Sequence, residues 1–159
     1  MPTGEIVRAF VPKDPAFESR IRASFVRQKV MGLIGATLTR VEPGRVEIEL
    51  PFRDDLTQQH GFFHAGIVGT IADSAGGYAG YTLMPAGTSV LSVEYKINMM
   101  APADGERLVA SGQVVKPGRT LTVCDLDVIV IKNGARTLCA RGMQTLICLE
   151  RRPGGAEPG

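Results

Sequence analysis

The chain has 159 residues, of which 44% are hydrophobic and 21% are charged. This length and composition predict one globular domain with a sizeable core, and they exclude a disordered or fibrous chain. The net charge is only +2 and no basic run accompanies it, so we expect no nucleic-acid partner. A small anionic ligand is compatible with this mild positive charge.

The sequence contains no candidate membrane helix and no paired cysteine motif. Its longest apolar region, residues 65–83, includes an aspartate and five glycines, so we expect no transmembrane span. The cysteines Cys124, Cys139 and Cys148 form no CxxC pair, and the first residues lack an apolar signal segment. We therefore expect reduced, buried thiols in a cytoplasmic protein that does not associate with a membrane.

The first third of the chain predicts a helix followed by a hairpin. Residues 1–13 have no clear periodicity and form an N-terminal extension. A helix is predicted over residues 14–29, because the Asp14–Pro15 pair is typical of a first turn and apolar side chains then recur every four positions. Strands are predicted at residues 32–41 and 45–50, on either side of a Pro-Gly turn.

The most apolar segment is a helix candidate that extends from His64 to about Leu83. Each of its interior glycines disfavours an isolated helix by about 1 kcal/mol relative to alanine. Tertiary packing must therefore hold this helix in place. Because glycine lets another backbone approach closely, we predict a sheet that wraps tightly around it.

Four strand-like segments follow, separated by turns that each contain glycine. They cover residues 89–100, 107–116, 120–132 and 136–149. Helices and strands are segregated along the chain, which predicts an α+β fold with a curved antiparallel sheet around one long central helix. We expect a single domain over residues 14–150 and a disordered tail at 151–159.

Two residues of the predicted central helix are candidates for catalysis. Asp73 is a lone carboxylate among apolar neighbours, and such a placement is costly unless the carboxylate has a function. We predict a general base or nucleophile, although a hydrogen-bonded Asp at a wet interface would also fit. His64 begins the helix, where the amides of Ala65 and Gly66 are unpaired and can bind a developing oxyanion. The alternative is a His64 that only caps the helix.

The nine-residue spacing between His64 and Asp73 predicts a homodimer. At about 100° per residue the two side chains point to opposite sides of one helix, with about 13 Å between them along its axis. One substrate can hardly meet both groups of a single chain, so the second group must come from a partner chain. We expect two equivalent sites at a two-fold interface.

The remaining polar patterns are less specific. His60 and His64 are four residues apart, but the chain has no third His and no HExxH motif, so we expect no metal site. Residues 116–120 form a basic turn, which is either an ordinary solvated hairpin or a segment that holds phosphates. The candidate phosphate ligands in this turn are Lys116, Gly118, Arg119 and Thr120.

These residues resemble the signature of hot-dog-fold thioesterases of the phenylacetate-pathway (PaaI-like) family. That signature reads Asn-x-x-Gly-x-x-His-Gly-Gly, with an acidic residue nine positions after the His. The matching residues of this chain are Gln58, Gly61, His64, Ala65, Gly66 and Asp73. Residues 92–103 and 116–121 are similar to the family's next strand and hairpin, and the resemblance extends over roughly residues 30–150, as a whole domain would.

The resemblance implies hydrolysis of an acyl-coenzyme A thioester at a site between two subunits of a dimer or of a tetramer built as a dimer of dimers. It implies no cofactor, because coenzyme A is part of the substrate. The roles that it implies are Asp73 as base or nucleophile, His64 and the Ala65 amide on the thioester carbonyl, Gln58 on a water or that carbonyl, and Ser92 as an aid to Asp73. Arg119 and its neighbours in the basic turn would contact the coenzyme A phosphates.

Two positions depart from the family signature. Gln58 replaces the Asn and is one methylene longer, and Ala65 replaces the first Gly. An Ala at a helix start has negative φ and keeps its amide in place, so we expect activity to survive this replacement.

Two other functions are compatible with the same fold, because a fold does not determine a function. One is an acyl-coenzyme A binding or regulatory module without turnover, although a binder has little reason to hold an unpaired carboxylate beside its ligand. The other is a hydratase or dehydratase. Glu94 is the nearest candidate acid for that chemistry, but the Asp-x-Asn-Pro-x-His motif is absent.

Overall fold

The computed structural model describes residues 9–150 of the chain. The predicted tail and residues 1–8 of the predicted extension lie outside the described residues. Within them, no helix is long and apolar enough to cross a membrane. The elements in chain order are α1 (Phe17–Arg27), α2 (Lys29–Ile34), β1 (Thr37–Glu42), β2 (Arg45–Pro51), a short 3-10 helix (Asp54–Leu56), α3 (Ala65–Tyr81), β3 (Thr88–Met99), β4 (Arg107–Lys116), β5 (Leu121–Lys132) and β6 (Ala135–Glu150).

The six strands form one sheet in the order β1-β2-β4-β5-β6-β3, and every neighbouring pair is antiparallel. Register shifts interrupt the ladders of β1, β3, β4 and β5, and such bulges bend a sheet. The long helix α3 packs against β2, β3, β4, β5 and β6. The predicted α+β fold with one central helix is therefore confirmed, and this arrangement is the hot-dog fold.

The predicted strand at residues 32–41 is wrong in its first half. Residues 29–34 form the helix α2, and the strand begins only at Thr37. Met31 and Ile34 are the buried residues of α2, and their three-residue spacing places them on one helix face. Gly35 ends the helix with a φ of 79°, a backbone conformation that favours glycine. A short apolar segment of this composition is also typical of a strand, so the sequence pattern does not distinguish the two structures.

Helix α1 begins at Phe17, later than the predicted start at Asp14, and its N-cap is Ala16. Asp14 lies before the helix and contacts it through its side chain. The Asp14 Oδ1 accepts the N–H of Ala16 at 2.9 Å, and its Oδ2 pairs with Arg20 Nε at 2.9 Å. Arg20 Nη2 donates to the carbonyl of Met84 at 2.9 Å, and its guanidinium lies 4.3 Å from the centre of the Tyr81 ring. These contacts hold α1 against the C-terminal end of α3.

Small residues bring α3 into direct contact with the sheet. Ala72, Ala75 and Ala79 on α3 are fully buried. A Cβ atom on Gly112 of β4 would overlap the backbone carbonyl of Ala75 and the backbone nitrogen of Gly76. The two backbones therefore touch, as the glycine content predicted, and at this point a glycine of the sheet, Gly112, leaves the space.

This contact predicts that Gly112→Ala destabilises the protein by about 3 kcal/mol, because backbone atoms cannot move aside for a methyl group. Gly77→Ala is the matched control on α3, since a Cβ there meets nothing within 4 Å. The control should leave stability unchanged or raise it by up to about 1 kcal/mol, because alanine is the better helix former. Urea unfolding at one fixed protein concentration measures both. Equal stabilities of the two variants would contradict the close approach.

Candidate active site

The carboxylate of Asp73 lies between α3 and the strands β3 and β6. Its Oδ1 accepts a hydrogen bond from Ser92 Oγ at 2.7 Å and another from Gln144 Nε2 at 2.6 Å. Asp73 is only half-buried, although its neighbours Ala72 and Ser74 on the helix are buried. The acidic side chain thus points away from the apolar core. Its hydrogen bonds and partial exposure offset the desolvation of a carboxylate on an apolar helix.

Gln144 is a member of this cluster that the sequence reasoning missed. Its side chain is 1% exposed, and Nε2 also donates to Ser92 Oγ at 2.9 Å and to the backbone carbonyl of Asp73 at 3.2 Å. The available signal was alternation along β6, where Gln144 is the polar residue on the inward face that also carries Leu146. Its partner residues are 71 and 52 positions away in sequence, so only the fold brings them together.

A cavity of about 190 Å³ opens beside the Asp73 carboxylate. The residues that line it are Ser24, Gln28, Asp73, Ser74, Gly77, Tyr78, Val90 and Ser92. The hydroxyls of Ser24 and Tyr78 lie 3.3 Å apart, and Ser74 Oγ donates to Gln28 Oε1 at 3.1 Å. Burial raises the pKa of Tyr78, while its hydrogen bond to Ser24 lowers it, so the phenol is a neutral group at physiological pH.

His64 is the N-cap of α3, which agrees with the capping role considered for it. Its Nδ1 accepts the N–H of Gly66 at 2.9 Å, so in the neutral ring the proton is on Nε2. This bond occupies one of the two amides at the start of the helix. The N–H of Ala65 has no hydrogen-bond partner among residues 9–150, and Ala65 is exposed. One amide and one imidazole N–H are therefore open at this helix end.

Gln58 belongs to the turn that leads into α3. Its backbone carbonyl accepts the N–H of Gly61 at 2.9 Å, and its backbone N–H donates to the carbonyl of Phe62 at 2.9 Å. The side-chain Oε1 accepts the N–H of His60. Gly61 has a φ of 81°, which favours glycine at this point of the turn. The described contacts of Gln58 thus shape the loop before His64.

The basic turn between β4 and β5 lies apart from Asp73 within one chain. Lys116, Arg119 and Thr120 are exposed, and Gly118 is half-buried. Arg119 and Gly118 line a different cavity of about 260 Å³, together with Lys13 and residues 83–85 after α3. This cavity shares no residue with the cavity beside Asp73. One chain therefore holds three separate groups: the helix start, the Asp73 cluster and the basic turn.

One other candidate group, Glu94, lies outside the cluster. Glu94 accepts a hydrogen bond from Thr145 at 3.3 Å, and Thr145 projects to the opposite sheet face from its neighbour Gln144. Within the described range, no group of three or more His, Cys, Asp or Glu side chains is arranged to hold a metal ion.

The three cysteines are free, and two of them are buried. Burial raises the pKa of the Cys124 thiol to about 12 and that of Cys139 to about 11. Because the thiolate is the reactive form, both are expected to be inert near neutral pH. Cys148 is only half-buried.

This difference predicts selective alkylation of the native protein. With iodoacetamide at pH 8, Cys124 and Cys139 should stay unmodified, since about one Cys124 thiol in ten thousand is ionised there. Cys148 should react alone, and denaturant should make all three thiols react. Mass spectrometry of the alkylated peptides measures this. Rapid native labelling of Cys124 would contradict the buried position assigned to it.

Comparison with known proteins identifies the family. A model described as the thioesterase superfamily matches residues 60–136. Human acyl-coenzyme A thioesterase 13 is 31% identical over 119 residues, which cover 74% of this chain and 81% of that protein. A solved thioesterase family protein from Silicibacter pomeroyi is 46% identical, with a TM-score of 0.84 over 85% of this chain and 99% of that chain.

The solved structure of the E. coli PaaI protein from the phenylacetic acid degradation operon has the same fold, with a TM-score of 0.73 at 18% identity. It covers 88% of this chain and 95% of that chain. The fold, the family match and these relatives agree with the resemblance in the sequence. The chain belongs to the thioesterase superfamily, has its hot-dog fold, and is a thioester hydrolase.

Proposed function

We propose that the protein hydrolyses an acyl-coenzyme A thioester to the free acid and coenzyme A, with Asp73 as the catalytic carboxylate. The observation that carries this proposal is the hydrogen-bonded Asp73 carboxylate at the edge of an open cavity, on the central helix of a thioesterase fold. The name of the human relative, an acyl-coenzyme A thioesterase, supports the substrate class.

The chemistry needs a carboxylate and a place for the developing oxyanion. Asp73 either takes a proton from the attacking water or attacks the carbonyl carbon itself, in which case water then hydrolyses the mixed anhydride. Either route breaks the carbon–sulfur bond, and the sulfur leaves as the coenzyme A thiolate. The open Ala65 N–H and the Nε2–H of His64 are suited to stabilise the oxyanion, with Gly66 holding His64 and Gln58 shaping the adjacent loop.

We propose that each site combines groups from two subunits. The edge strand β3 supports this, because its outer backbone edge is unpaired among the described residues and its apolar side chains are exposed. Leu91, Val93, Tyr95 and Met99 are between 45% and 56% exposed. Pairing of two β3 edges about a two-fold axis would cover these side chains and provide hydrogen-bond partners for the unpaired backbone groups of the edge. His64 of the partner subunit would then face Asp73, and two such dimers would form the tetramer.

The substrate's coenzyme A phosphates are proposed to contact the basic turn. Lys116 and Arg119 supply the charge, while Gly118 and Thr120 allow close approach of the backbone and one hydroxyl contact. No metal is needed, because the carboxylate and the N–H donors supply the chemistry without one. The three free cysteines support a reducing compartment, and we propose the cytoplasm.

The central test of this function is thiol release from butanoyl-, octanoyl-, palmitoyl- and phenylacetyl-coenzyme A by the wild type and by Asp73→Asn. We expect turnover of at least one substrate, and a loss of at least about a hundredfold in kcat for the variant, because general-base or nucleophilic action is removed. Asp127→Asn is the matched control, since Asp127 is also half-buried and hydrogen-bonded, to Arg141 at 2.6 and 2.8 Å.

The control should keep the wild-type kcat. Binding of acyl-coenzyme A without thiol release by the wild type would favour the binding-module interpretation. An Asp73→Asn variant with full activity would remove the carboxylate from the mechanism.

A further inference from the structure

The two oxygens of the Asp73 carboxylate have different surroundings. Oδ1 accepts two short hydrogen bonds, from Ser92 Oγ at 2.7 Å and from Gln144 Nε2 at 2.6 Å. None of the described residues donates to Oδ2. A carboxylate held this way keeps one oxygen engaged with the protein and leaves the other free to accept a proton or attack a carbonyl.

The orientation of the Gln144 amide follows from its neighbours. Its NH₂ group meets three acceptors: the Asp73 carboxylate, the Asp73 backbone carbonyl and Ser92 Oγ. The reverse orientation would bring the amide oxygen against a carboxylate oxygen, and two acceptors repel each other. The observed orientation leaves Oε1 buried without a donor among residues 9–150. A buried carbonyl without a donor is destabilising, so a folding role alone does not account for this amide.

Gly76 on α3 makes room for this amide. A Cβ at position 76 would overlap Oε1 of Gln144. The same helix turn that carries Asp73 therefore also provides the space that Gln144 needs to reach the carboxylate. Gln144 does not line the cavity beside Asp73.

We propose that Gln144 is a positioning residue, which fixes the Asp73 carboxylate through Oδ1 and makes Oδ2 the oxygen that reacts. This inference rests on the proposed thioesterase function. Gln144 acts only through Asp73 and Ser92, and it makes no contact with the substrate. Its donor hydrogen bond keeps the carboxylate in one rotamer and holds Ser92 in line with Oδ1.

Two variants of the full-length protein test the proposal, with the best substrate of the wild type from the acyl-coenzyme A panel. Gln144→Met keeps the side-chain length and removes the donor. Its kcat should fall at least about tenfold while KM changes less than about threefold, because a positioning defect acts on the chemical step. Gln144→Glu keeps the shape but places a second carboxyl group at hydrogen-bonding distance from Asp73.

Two carboxyl groups this close share one proton, so the acidic limb of the kcat/KM profile of Gln144→Glu should move up by about one pH unit or more. Among residues 9–150 of one chain, the only other ionisable side chain that lines the cavity is Tyr78. The substitution leaves Tyr78 unchanged, and it also leaves unchanged His64 of the partner subunit, which the proposed dimer brings to the site. Leu146→Met is the matched control, because Leu146 is buried on the same face of β6 and its side chain lies against Gly80. This control should keep both the wild-type kcat and the wild-type pH profile.

A wild-type kcat and an unmoved acidic limb in folded Gln144→Met and Gln144→Glu would overturn the proposal. An equal shift of the pH profile in Leu146→Met would also overturn it, because the effect would then be general to packing on β6. Should Gln144→Met fail to fold, Gln144→Glu carries the test, since it preserves the side-chain shape. A wild type without any thioesterase activity would refute the proposed function itself, which is a different outcome.

Discussion

The contact between the α3 backbone and the β4 backbone at Gly112 determines where the Asp73 carboxylate lies. Because no side chain separates the two backbones, the helix is held at a fixed depth against the sheet. The position of α3 then decides which strand residues Asp73 meets. At this depth, one carboxylate oxygen reaches both Ser92 on β3 and Gln144 on β6. The geometry of the Asp73 cluster is therefore a consequence of backbone packing, and helix propensity contributes little to it.

Within one chain, the start of α3 and the Asp73 carboxylate are held apart. His64 and the open Ala65 amide lie at the start of α3, while Asp73 lies more than two helical turns further on. A rigid helix cannot bring these groups together, and this separation is the reason for proposing that a second chain supplies the other half of each site. The exposed apolar edge strand β3 also carries Ser92, which donates a hydrogen bond to Asp73. An interface along that edge would complete the site and cover the edge at once.

Most of the fold was predictable because turns and glycines mark it in the sequence. The Asn-Gly turn at residues 133–134 and the Pro-Gly turns separate strands whose observed bounds differ from the predicted ones by one residue in most cases. The helix α2 was missed, since its apolar residues suit either structure and tertiary packing decides between them. Local pattern and family resemblance made Asp73, Ser92 and His64 candidate site residues, and the structure places Ser92 against Asp73. Gln144 was not a candidate, because its contacts with both depend on strand register and on partners distant in sequence.

The most direct measurement is subunit complementation between Asp73→Asn and His64→Asn, because Asn is a good N-cap and keeps the start of α3 intact. Each variant alone should be nearly inactive. After equal amounts are dissociated and reassociated, half of the dimers are mixed and carry one intact site, so activity should recover to about a quarter of the wild-type value. Such recovery is the result predicted by a site shared between subunits. A mixture that stays as inactive as its two parents, with mixed dimers present, would contradict it.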